Sequence, residues 1–272
     1  MEKKILFLDL DGTLLDDQKR ITPGNRRAME EALEQGHRIV VTSGRPLKSS
    51  LAQARKLGLA GEGCYVVAYN GGTVYDCTAK RVALRRTLAA EDLYRVYDEA
   101  ARRGLYIQTY DREDVVIEAR CNAAGAERYC AAIGMDWRRI EDVRRDLTEL
   151  PVKALLLDYE NREPLEDMER WVRSELAGRV DCFFSSQYFL EVVPVGVNKG
   201  FATTELCRWL GIDVRRSVAV GDENNDVSMI RAAGVGVAMA NAVQAAKDAA
   251  DYVTLRDNNH DGIEEVIRKF VL

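Results

Sequence analysis

Histidine is almost missing from this chain: there are two, His37 and His260. Neither stands beside a run of chemistry-bearing residues, which argues against histidine catalysis and against a zinc centre. Close cysteine pairs are missing too. The six cysteines (Cys64, Cys77, Cys121, Cys130, Cys182 and Cys207) are scattered, without metal-knuckle spacing. In a chain this long they read as reduced thiols, which places the protein in the cytoplasm. Long apolar runs are absent. After the first lysines only four apolar residues precede Asp9, too few for a signal peptide, and no run approaches a membrane span. A basic tract is absent as well. The net charge is −5 and the pI about 5.4. The pairs Arg138-Arg139 and Arg144-Arg145 are diluted by Glu141, Asp142 and Asp146, so a nucleic-acid partner is not expected.

What is present is an ordinary globular mix, 47% apolar and 31% charged over 272 residues. That suits one large domain or two modest ones. Four short apolar runs each end in polar residues: ILFLDLDGT from residue 5, RIVVTSGRP from 38, YVVAYNGG from 65 and SVAVGDENND from 217. They are rich in Val and Ile and do not alternate, as expected of strands buried on both faces of a parallel sheet. Residues 235–239 and 252–255 could extend that sheet. Helices fit between: Thr22-Pro23 is a helix start and Gly36 a stop, and Ala202, Leu206, Trp209 and Leu210 repeat at helical spacing before Gly211. The alternation predicts a doubly wound α/β domain, in which ligands bind outside the carboxyl ends of the strands.

The polar clusters would then meet in one crevice. Asp9 and Asp11 lie two apart in extended chain and project to one side. With Asp222 and Asp226 they bring four carboxylates together, a set that repels itself unless a hard cation such as Mg²⁺ joins it. Thr42, Ser43, Gly44, Lys199 and Asn225 offer hydroxyls, amides and a cation suited to a phosphate. Metal and phosphate together point to phosphoryl transfer, in which one Asp attacks and its neighbour handles the proton.

DLDGT (9–13), TSGR (42–45), Lys199 and GDENND (221–226) resemble, in order and spacing, the four motifs of the haloacid dehalogenase superfamily. The resemblance implies Asp9 as nucleophile and Asp11 as general acid/base. It implies Mg²⁺ held by Asp9, the backbone carbonyl of Asp11 and Asp222, with Asp226 either assisting from behind them or as a further ligand. Leu10, Thr42, Ser43, Gly44, Lys199 and Asn225 would bind the phosphoryl group, with Arg45 and Asn70 as further substrate candidates. YNGG (69–72), FLEVVPVGVNKG (189–200) and GVGVAMANA (234–242) are similar to Cof-type (class IIB) phosphatases. Between Asp11 and Thr42 there is room for one helix and a strand, whereas 153 residues separate Arg45 from Lys199. A C2-type cap is therefore expected at 84–188, inserted into a Rossmann-like core of 1–83 and 189–272. Within it LYIQTYD and KALLLDY read as strands, and residues 90–104 and 165–178 as amphipathic helices.

The expected activity is a Mg²⁺-dependent phosphatase for a small phosphorylated metabolite, a sugar phosphate or similar monoester, working as monomer or dimer. A phosphosugar mutase and a non-catalytic phospho-ligand sensor are the alternatives. Blander readings also stand: Asp226 as a helix cap, Arg45 as an ion-pair partner for the acids, Asn70 as a turn residue. Two stretches are look-alikes. DNNHDG (257–262) matches half a calcium loop, but its twelfth position is Arg268. GVGVAM begins like a dinucleotide fingerprint without the third glycine and reads better as a strand.

Overall fold

The first strand, β1 (Ile5–Asp9), carries apolar side chains on both faces, and they enter two different cores. Leu6 and Leu8 join one cluster, Ile5 and Phe7 the other. A strand covered on both sides has to sit centrally, with helices above and below. The computed structural model describes residues 2–112 and 114–272 of the chain. It divides into two compact units, residues 1–84 with 198–272 and residues 85–197.

The first unit begins β1, α1 (Pro23–Glu34), β2 (Arg38–Thr42), α2 (Leu47–Lys56), β3 (Cys64–Ala68), β4 (Thr73–Asp76) and β5 (Arg81–Arg85). The second unit holds α3 (Ala90–Arg102), β6 (Ile107–Asp111), β7 (Asp114–Glu118), α4 (Ala123–Ile133), β8 (Trp137–Ile140), α5 (Val143–Asp146), β9 (Ala154–Leu157), α6 (Glu163–Glu175), β10 (Val180–Ser186) and β11 (Phe189–Pro194). The chain then returns with α7 (Lys199–Leu210), β12 (Ser217–Gly221), α8 (Val227–Ala232), β13 (Val235–Ala238), α9 (Gln244–Ala249), β14 (Tyr252–Val253) and α10 (Gly262–Phe270).

The core sheet runs β14-β13-β12-β1-β2-β3-β4-β5. Its six strands from β14 to β3 pair in parallel, and β4 turns back antiparallel on β3. This is the doubly wound α/β architecture the sequence predicts. Each fully buried Leu, Ile or Val contributes about 1.5–3 kcal/mol to holding it. The start of α1 is secured from a distance. Thr22 does not cap the helix with its side chain; Asp261 does, accepting from the N–H groups of Gly24 at 2.8 Å and Asn25 at 3.1 Å.

The second unit is a six-stranded sheet, β10-β11-β9-β6-β7-β8. All its pairings are antiparallel except β7 with β8. Leu93, Val96 and Tyr97 of α3 and Leu165, Met168 and Val172 of α6 share its core with Ile107, Leu156 and Leu190 of the sheet. The return to the core expected at residue 189 falls instead at Asn198. Phe189–Pro194 resembles the Val-rich core strands in composition, yet it pairs with β9 and β10 inside the cap sheet. Among the described residues no helix is long and apolar enough to cross a membrane.

Candidate active site

The first unit brings the polar ends of its strands together. Asp9 ends β1, Asp222 follows β12, and Lys199 opens α7, whose N-cap Asn198 accepts from the Phe201 N–H. The Lys199 ammonium is fully buried and lies 2.5 Å from Asp9 Oδ1 and 2.5 Å from Asp226 Oδ1. Two glycines permit this packing. A Cβ on Gly12, at φ +80°, would lie 2.3 Å from Asp222 Oδ2, and one on Gly71, at φ +107°, would lie 2.1 Å from the Asn198 carbonyl oxygen.

Asp226 does more than cap a helix. Its Oδ2 accepts from the N–H groups of Asp222 and Glu223, both at 3.0 Å, while Oδ1 takes Lys199. Thr13 donates to Asp222 Oδ1 at 2.7 Å. Carboxylate oxygens of Asp9, Asp222 and Asp226 lie within 4.8 Å of one another. Burial, then the Asp226 charge, pushes the Asp9 pKa well above its ordinary value, against the pull of Lys199. Burial also raises Asp222, to about 6, against the Thr13 hydrogen bond and with help from Asp226. For Lys199 burial works downward, but the charges of Asp226 and Asp9 outweigh it and hold the amine protonated. When ionised, three carboxylates against one ammonium carry excess negative charge, and an oxygen-only donor set of this kind fits a hard divalent cation.

Asp11 stands in a different setting. Lys19 reaches its Oδ1 at 2.7 Å and Arg45 its Oδ2 at 2.9 Å. Burial alone would raise its pKa; the Lys19 hydrogen bond and the Arg45 charge outweigh that and lower it. Arg45 is thus an ion-pair partner of the acids. Lys19 has no signal of its own in the sequence: it is one cation in the polar run DDQKR, carried here by a turn in which its N–H donates to the Asp16 carbonyl.

The phosphate candidates divide. Ser43 lies just past β2, and its hydroxyl accepts from the Arg45 N–H at 3.1 Å. Thr42 is a correction. It is the last residue of β2, fully buried, and its hydroxyl donates to Met229 Sδ at 3.6 Å, so it faces the core and not a phosphate. Leu10 buries its side chain, leaving only its backbone for a ligand. Asn225 Nδ2 donates to Asn70 Oδ1 at 3.2 Å, and Asn70 sits in the left-handed region at φ 53°. Asn70 therefore serves the turn and also links the ends of β3 and β12.

Residues 6–267 match the family model of the haloacid dehalogenase-like hydrolases, and the chain belongs to that family. YxeH of Bacillus subtilis, which carries a provisional phosphatase name, is 31% identical over 99% of this chain and 98% of its own. The 5-amino-6-(5-phospho-D-ribitylamino)uracil phosphatase YcsE of Bacillus subtilis is 28% identical over 99% and 96%. A haloacid dehalogenase-like hydrolase from Bacteroides thetaiotaomicron superposes with TM-score 0.86 at 33% identity, covering 98% of this chain and 99% of that one. The chain is a phosphatase of this haloacid dehalogenase-like family, a hydrolase acting on phosphoric monoesters.

Proposed function

We propose that the protein is a Mg²⁺-dependent phosphatase for a small phosphorylated metabolite, a sugar phosphate or a related phosphomonoester. The observation that carries this reading is Asp9 at the end of β1, paired to Lys199 within a cluster of carboxylates, with Asp11 two residues on. Asp9, the Asp11 carbonyl and Asp222 would hold Mg²⁺, with Asp226 beside them, and the ion would supply charge neutralisation for the phosphoryl group. Ser43, the amides of Leu10 and Gly44, Lys199 and Asn225 would bind the phosphoryl oxygens.

Asp9 attacks phosphorus, the bond from phosphorus to the leaving oxygen breaks, and Asp11 gives that oxygen its proton. Water then attacks the aspartyl-phosphate, Asp11 takes a proton from it, and phosphate leaves with Asp9 restored. Lys19 and Arg45 hold resting Asp11 as a carboxylate, so it must exchange them for the leaving group and a proton before it can act as an acid. The second unit is proposed as the cap that selects the leaving group, by analogy with lids that exclude water. Six buried, unbridged cysteines support a cytoplasmic setting.

The test is phosphate release from a panel of sugar phosphates and 5-amino-6-(5-phospho-D-ribitylamino)uracil, with Mg²⁺ and with chelator. Release should need both Mg²⁺ and Asp9, and Asp9→Asn should fall to background with its fold intact. Continued release by that variant would refute the nucleophile. Transfer of phosphate to another hydroxyl without net release would mark a mutase.

A further inference from the structure

The two look-alike stretches of the sequence meet at the loop that carries Asp11. Beyond β1 this loop closes on itself: the Leu14 N–H donates to the Asp9 carbonyl at 3.2 Å and the Leu15 N–H to that of Leu10 at 2.9 Å. Its Gly12 has the widest conformational choice of any residue there. Asn241, which follows GVGVAM, donates from Nδ2 to the Gly12 carbonyl at 2.8 Å. Asn258, in DNNHDG, donates from Nδ2 to the Leu15 carbonyl at 2.9 Å. The two are joined, the Asn258 N–H reaching Asn241 Oδ1 at 3.3 Å. Asn258 is buried, with 5% of its surface exposed. Its neighbour Asn259 accepts from the Asp17 N–H at 3.0 Å and so grips the turn that delivers Lys19 to Asp11.

A loop asparagine that merely satisfies itself needs one partner nearby in sequence. These two form a chain in series, and its ends hold the carbonyls of Gly12 and Leu15, just beyond Asp11. Fixing those carbonyls fixes the direction in which the Asp11 side chain leaves the backbone. We propose that Asn258, acting through Asn241 and through the Leu15 carbonyl, is a positioning residue that sets Asp11 for proton transfer to the leaving group. The inference rests on the reading of Asp11 as the general acid.

Asn258→Asp keeps the shape and removes both side-chain N–H donors. Its turnover would be compared on an alkyl phosphomonoester and on para-nitrophenyl phosphate, whose leaving group departs without a proton. Asp11→Asn would be run alongside, and thermal unfolding would check each fold. On the alkyl ester kcat/KM, which reports only formation of the aspartyl-phosphate, should fall about 10–100-fold. On the nitrophenyl ester kcat/KM should fall by no more than about threefold, since acid catalysis is little needed in that step. Asn241→Ala removes the outer link from an exposed position and should show the same preference, so the inference remains testable if Asn258→Asp does not fold. Equal losses on both esters, or none, would overturn it. Should Asp11→Asn show the preference and the asparagine variants not, this inference alone fails. Should Asp11→Asn lack it, the reading of Asp11 as general acid fails and this inference with it.

Discussion

Both units bury a lysine against carboxylates, and the two burials differ in balance. In the core Lys199 lies against Asp9 and Asp226, with Asp222 close by. In the cap Lys153, just before β9, lies 3.0 Å from Glu191 of β11, and both are buried. A lysine and a glutamate can neutralise each other. Three aspartates and one lysine cannot, and their surplus negative charge suits a cation, which would in turn offset the charge of a phosphate. Burial of charge alone is therefore a poor guide to function; imbalance is the better one.

Double substitution would break or sharpen that contrast. Removing either lysine takes the ammonium from a buried carboxylate, so Lys199→Met and Lys153→Met should each lower stability by about 3–5 kcal/mol, measured by urea unfolding. Lys199→Met should also bring phosphate release to background. In the cap, Lys153→Met with Glu191→Leu should recover most of the loss, because an apolar pair can replace a neutral ion pair. In the core, Lys199→Met with Asp226→Leu should not, because the N–H groups of Asp222 and Glu223 lose their acceptor. Equal recovery in both units would end the distinction.

A smaller effect tests how tightly the core site is held from behind. Gly71→Ala forces a methyl onto the Asn198 carbonyl, the N-cap of α7. Strain of about 1–3 kcal/mol is expected in thermal unfolding. Because Lys199 is the next residue, phosphate release should fall with it. Stability lost without any loss of activity would mean that Lys199 is held by its carboxylates and not by the helix start.

The core was legible because its chemistry sits at strand ends, where a change from Val and Ile to Asp, Ser, Asn and Gly is visible in one dimension. That Asp9, Asp222 and Lys199 come together could be read there. Thr42 was misplaced because a strand's last residue and a loop's first look alike in TSGR; only the pleat shows that Thr42 points inward while Ser43 begins the loop. The cap boundary slipped because FLEVV has the composition of a core strand, and pairing partners are not written in composition. Lys19 on Asp11 and Asp261 on the start of α1 were invisible for a different reason. Both are ordinary surface-type residues until tertiary structure sets them against their partners, and Asp261 lies 237 residues from Gly24.

Smaller effects are expected on the cap's helices, where charges meet along one element. Glu99 of α3 takes Arg102 Nη2 at 2.6 Å and Arg103 Nε at 2.6 Å. The Arg102 hydrogen bond first, then that of Arg103, brings its pKa from 4.5 down to about 2. A depressed folded-state pKa means that the unfolded chain takes up the proton first as pH falls. The stabilisation is thus whole above pH 4.5 and drains away between there and about 2. Glu99→Gln should cost on the order of 1 kcal/mol at neutral pH, since the carboxylate is buried but its partner Arg102 stands in solvent. It should also flatten the acid limb of stability in that window. Hydrogen exchange along α3, followed from neutral pH into acid for both proteins, would show it. Parallel curves would mean that the ion pairs on this helix contribute nothing, even locally.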